Sequence, residues 1–195
     1  MNLDDVKQDM ENWITNYLDI PNEYYNGIKP CPFAKKAWFD NKVKVILGHK
    51  EEVLMELDDW DDKHQLVAVI FKDFEGLDDW CQSLNPELSK EDLYLMAHEP
   101  LDEDEYEEGD PTLTSESWGK VTDEVYGWVF IQRLSEVCKY SDILSKQDYY
   151  KDLPADFLAY VDSRRSYYEG FKEKGWNACA KEGKEKRNHR KNGWC

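Results

Sequence analysis

A chain of 195 residues with 41% apolar and 14% aromatic content is long enough for one sizeable core and too apolar for wholesale disorder. No apolar run approaches the ~20 residues that cross a bilayer. The opening MNLDDVKQDMENW is acidic and amphipathic, unlike a secretory leader, so a cytoplasmic setting is expected. The formal charge of −17 argues against nucleic acid as a partner of the acidic body.

Residues 3–18 set Leu3, Val6, Met10, Trp13, Ile14, Tyr17 and Leu18 at helical spacing, which predicts one amphipathic helix. Pro21 ends it, and IPNEYYNG reads as a loop. Pro32 suits the first turn of a short helix, with Cys31 at or next to its N-cap. VKVIL (43–47) reads as a strand, and HKEEVLMELDDW (49–60) as a helix with Val53, Leu54 and Leu57 inward. LVAVIF (66–71) is a continuous apolar run, as in strands buried on both faces. FEGLDDWCQSL (74–84) gives a helix through Phe74, Leu77, Cys81 and Leu84, and DLYLMA (92–97) a third strand. This alternation predicts an α/β (or α+β) fold. Its small sheet has at least three strands with alternating helices, plus an N-terminal helix and a long C-terminal helix.

Residues 98–120 have no periodicity and are densely acidic; a loop of that length is usually functional or disordered. YGWVFIQRLSEVCKYSDIL (126–144) resumes a helical pattern through Trp128, Ile131, Leu134 and Cys138. Pro154 opens the last helix, with Phe157, Tyr160, Val161, Tyr168 and Phe171 on one stripe. From Ser163 to Cys195 ten basic residues stand against four acidic, a charge of +6 that leaves −23 on the first 162. The expected organisation is one acidic domain over 1–162 and a basic helical extension over 163–195. Such a tail suits docking on a protein partner, a second copy or the chain's own body.

Five cysteines, at 31, 81, 138, 179 and 195, are odd in number and contain no CxxC, which reads as free thiols. Cys31 is the leading candidate for chemistry. A thiol at a helix start feels unpaired N–H groups, and Lys35 and Lys36 one turn on add positive charge; both favour thiolate. The competing reading is a small buried apolar residue. His98 falls just past the third strand, where open α/β sheets place their crevices, with Glu99 beside it. Together Cys31 and His98 form a candidate nucleophile and base, or two ligands of a metal site that needs a further donor. The runs at 102–110 and 58–62 lack the order of a calcium loop. No phosphate loop, dinucleotide fingerprint, GxSxG or HExxH is present, and the sequence leaves the cofactor and any metal open.

GIKPCPFAKKAWFDNKVKVIL resembles the CPFA opening of an uncharacterised bacterial family, domain of unknown function 1415. The matching positions are Cys31, Pro32, Phe33 and Ala34, then His98 with Pro100, here separated by Glu99. The resemblance spans residues 20–145. It implies a shared α/β fold and attention to Cys31, and it implies no reaction. Two functions follow as expectations: a thiol-based or metal-assisted site at Cys31 and His98, or a non-catalytic interaction protein with an acidic body and a basic tail.

Overall fold

The computed structural model describes residues 1–72, 75–99 and 126–173. Four strands form one sheet: β1 (Val43–Leu47), β2 (Leu66–Phe71), β3 (Leu93–His98) and β4 (Gly127–Arg133). Their order is β1-β2-β4-β3. β1 and β2 are parallel, with Val45 opposite Ala68, and β4 runs antiparallel to both β2 and β3. The six α-helices among the described residues are α1 (Leu3–Trp13), α2 (Ala34–Phe39), α3 (Lys50–Asp58), α4 (Leu77–Leu88), α5 (Leu134–Ser145) and α6 (Ala155–Glu173). The α/β reading therefore holds, with a mixed sheet of four strands.

Alternate side chains sort the strands onto two apolar layers. Val67, Val69, Leu93, Leu95, Val129 and Ile131 pack under α3 and α4. Val45, Ala68, Ile70 and Trp128 face α1 and the turn after it. Tyr94 packs with Leu134 and Cys138 of α5 and with the tyrosines of α6. Each fully buried Val, Leu or Ile in these layers contributes about 1.5–3 kcal/mol of transfer free energy.

The first helix matches its prediction but changes pitch. The Thr15 hydroxyl donates to the Glu11 carbonyl at 2.8 Å, and Asp19 N–H reaches back five residues to Ile14. Ile14–Leu18 is thus a π-helical turn, which keeps Tyr17 and Leu18 on the buried stripe.

Four expectations need correction. The helical pattern expected from 126 begins only at Leu134, because Gly127–Arg133 is a strand. β4 is central and covered on both faces, so its sequence shows no alternation, and Trp128, Ile131 and Leu134 imitate a helical stripe. The helix expected at 74–84 runs Leu77–Leu88, carrying Pro86 within it; Phe74 lies outside the described residues. Leu54 points outward from α3 and is 39% exposed. The boundary expected after residue 162 falls inside α6, where Arg164 and Phe171 are buried against the body. The packed domain therefore continues to the end of that helix.

Candidate functional site

The segment before α2 is tied to two distant parts of the chain. Asn26 and Gly27 take left-handed backbone angles, φ 56° and 73°, and close a tight loop in which Asn22 pairs with Ile28. Cys31 N–H donates to the Leu18 carbonyl at 3.2 Å, fastening the segment to the end of the first helix. The Tyr149 hydroxyl donates to the Pro30 carbonyl at 2.6 Å, and Phe33 packs on Tyr140 with ring centroids 4.2 Å apart. Pro32 and Phe33 then lead into α2.

Cys31 as a residue is half-buried, but its thiol is turned into the apolar layer beneath α1. Burial pushes the thiol pKa up, and the N–H groups of Phe33 and Ala34 draw it down by less. The net direction is upward, opposite to an activated thiolate. Lys35 is not aimed at the thiol either. Its ammonium pairs with Asp19 at 2.7 Å, alongside Lys29 at 2.6 Å, and the two cations hold that carboxyl below its ordinary range. Lys36 pairs with Asp40. The other two described cysteines, both free, are also raised by burial: Cys81 to about 12 and Cys138 to about 11.

His98 ends β3 opposite Trp128, and its imidazole stacks on that indole at 4.2 Å and 21°. Trp128 in turn packs against Trp13, with centroids 5.3 Å apart. Burial lowers the His98 pKa from 6.5 to about 4, so the ring is neutral at physiological pH. Glu99 serves a different element: its Oε1 accepts the Asp78 N–H at 2.7 Å and caps the start of α4.

Cys31 and His98 thus border the same apolar layer, built around Trp13 and Trp128, from different elements. Among the described residues no hydrogen bond joins them. Also among the described residues, no group of three or more His, Cys, Asp and Glu is placed to hold a metal. The DDWDD run has structural work. Both Asp62 oxygens accept from Arg133 at 2.6 Å, and Asp61 accepts the Lys63 N–H at 2.9 Å. The acidic run at 102–110 lies outside the described residues.

Two surface features escape a reading for motifs. A cleft of about 330 Å³ opens between the end of α3 and the start of β2, lined by Lys44, Glu56, Asp59, Trp60, His64 and Val67 among others. The outer face of α3 carries a second apolar stripe, Leu54 and Met55, between Glu51 and Asp58. Its signal is in the sequence: Leu54 and Met55 are too many apolar residues for one inward stripe already supplied by Val53 and Leu57.

No helix among the described residues is long and apolar enough to cross a membrane. Compared with protein-family models, curated proteins and solved structures, the chain matches none of them.

Proposed function

We propose that this chain is a non-catalytic interaction protein whose acidic body docks a basic polypeptide. The observation that carries the reading is how its charges are used. Several cations of the body are committed to its own carboxylates, Lys29 and Lys35 to Asp19, Lys44 to Glu56, Arg133 to Asp62 and Arg165 to Asp142, while Lys7, Lys42 and Lys63 make no ion pair with a described residue. Carboxylates outnumber cations 42 to 25 along the chain, and Glu51, Asp58 and Asp79 make no ion pair with a described residue. Such a surface attracts and orients a cationic partner more than it fixes affinity.

The thiol reading at Cys31, with His98 as base and Lys35 as electrostatic support, is the weaker one. Burial raises the thiol, Lys35 is held by Asp19, and His98 stacks on Trp128. The resemblance of the CPFA segment adds no reaction to it. Free thiols at Cys31, Cys81 and Cys138 accord with a reducing, cytoplasmic setting.

The test is fluorescence anisotropy of a labelled Lys/Arg-rich peptide titrated with the full chain. Saturable one-to-one binding that weakens steeply with added salt is expected. Absence of binding at low salt, by the full chain and also by a full-length variant with the seven basic residues of 174–195 changed to glutamine, overturns the reading. So does rapid alkylation of Cys31 alone at neutral pH.

A further inference from the structure

α3 buries Val53 and Leu57 and turns a second stripe outward at positions i, i+3, i+4 and i+7: Glu51, Leu54 and Met55, which are exposed, and Asp58, which is half-buried. Met55 is 62% exposed and Leu54 39%, the centre of an apolar strip with a carboxylate at each end. Alongside lies Trp80 of α4, with the Lys50 ammonium 5.4 Å from its ring centroid. An outward apolar stripe at helical spacing costs free energy in water unless something covers it.

The chain itself supplies a segment of matching chemistry. Beyond Glu173 it continues for 22 residues, KGWNACAKEGKEKRNHRKNGWC, with seven basic residues against two acidic, and Trp176 near their start. Gly170 and Phe171 line a cleft of about 180 Å³ together with Pro86, Ser89 and Lys90 at the C-terminal end of α4. α3 and α4 each leave the C-terminal end of a parallel strand and return to the opposite end of the sheet, so Asp58 and Leu88 sit at the same end. The segment therefore starts beside α4, one helix away from the stripe. Neighbouring helices lie about 8–10 Å apart, whereas 22 extended residues reach about 70 Å.

We infer that the C-terminal segment 174–195 folds back across the outer face of α3, with Trp176 on Leu54 and Met55 and its basic residues against Glu51, Asp58 and Asp79. This inference rests on reading the body as a docking surface for basic polypeptide. It adds regulation: the chain's own tail occupies the face and competes with any partner for it.

The test is methyl NMR of the full chain with labelled methionine. The four methionines include Met55 on the stripe and Met10 in the core, the latter serving as an internal control. Two full-length variants are compared with wild type: Trp176→Ala, and one with the seven basic residues between Lys174 and Lys191 changed to glutamine. The expected result is a shift of the Met55 methyl in both variants, reproduced by salt in the wild type, with Met10 unmoved. The labelled Lys/Arg-rich peptide should also bind the neutralised variant several-fold more tightly. An unmoved Met55 methyl overturns the inference, and so does a Met55 shift that depends on protein concentration, because the occupant is then a second copy. If Met55 is unmoved but the peptide still binds, the docking function survives without its own tail as competitor. If the peptide fails as well, both fall.

Discussion

The side chain of Asn85 completes the outer edge of β3. Buried on α4, its amide donates to the Leu95 carbonyl at 3.0 Å and accepts the Leu95 N–H at 2.9 Å. One side chain thus imitates one residue of an absent neighbouring strand. On the face of the same strand, Tyr160 and Tyr167 of α6 pack on Tyr94. At Leu95 the edge therefore presents no free backbone pair to another chain.

Replacing Asn85 by alanine leaves a buried N–H and a buried C=O without partners. The cost should be roughly 2–4 kcal/mol, about 1–3 for each orphaned group less what relaxation recovers. Urea unfolding should show the midpoint falling at unchanged slope. A change within about 0.5 kcal/mol, typical of a surface site, removes Asn85 from this role.

His98 should make stability depend on pH. Its pKa is lowered from 6.5 to about 4 in the fold, so between those values the unfolded chain binds the extra proton. Stability contributed by the neutral ring is complete above pH 6.5, is lost as pH falls through this window, and levels off below about 4. The difference corresponds to about 3 kcal/mol. His98→Phe keeps a ring on Trp128 and should flatten the urea midpoint between pH 6.5 and 5, above the range where carboxylates titrate. An equally steep fall in the variant assigns the dependence to other groups.

Much of this architecture was legible because it is local. The stripe of α1, the β-branched runs of β1 and β2, and the prolines at 21, 32 and 154 each act within a few residues. β4 was not legible, since a strand covered on both faces loses the alternation that marks a half-buried one. Nor was the setting of Cys31. A helix start argues for thiolate, but the depth of the thiol is decided by α1, and the competing partner of Lys35 is Asp19 on another segment. Glu99 illustrates the same limit, adjacent to His98 in sequence yet spent on the N–H of Asp78.

Asp92 couples β3 to α5. It sits in a left-handed conformation, φ 59°, and its carboxylate accepts the Ser135 N–H at 2.8 Å and the Ser135 hydroxyl at 2.7 Å, capping α5 from a distant residue. Burial raises its pKa despite those hydrogen bonds and the nearby Arg133. A raised carboxyl means the native state holds the proton longer, so stability falls as pH rises from the ordinary value 3.8 through the folded one. Asp92→Asn keeps the bond from the Ser135 N–H on its oxygen, replaces the second by donating its amide N–H to the Ser135 hydroxyl, tolerates the backbone angle and removes the buried charge. It should match or exceed wild type in thermal unfolding at neutral pH, whereas Asp92→Ala should lose about 1–2 kcal/mol with the cap. An asparagine variant as unstable as the alanine one shows that the charge itself is needed.

Tyr149 holds the segment that shields Cys31. Its hydroxyl bonds to Pro30, next to the thiol, and its ring stacks on Tyr25 with centroids 4.8 Å apart. In the native protein at mildly alkaline pH, Cys31 should alkylate more slowly than a free thiol, because burial disfavours its thiolate. Tyr149→Phe removes one hydrogen bond, about 1 kcal/mol, and keeps the ring. Local opening of residues 26–33 then becomes easier, and alkylation of Cys31, followed by peptide mass spectrometry, should accelerate about five-fold for that free energy. Cys81 and Cys138 serve as controls: they are buried in other clusters, and their rates should not change. If Cys31 in the wild type reacts as fast as a free thiol, the segment does not shield it. If all three rates rise together, the variant has lost global stability and Tyr149 has no special hold on this segment.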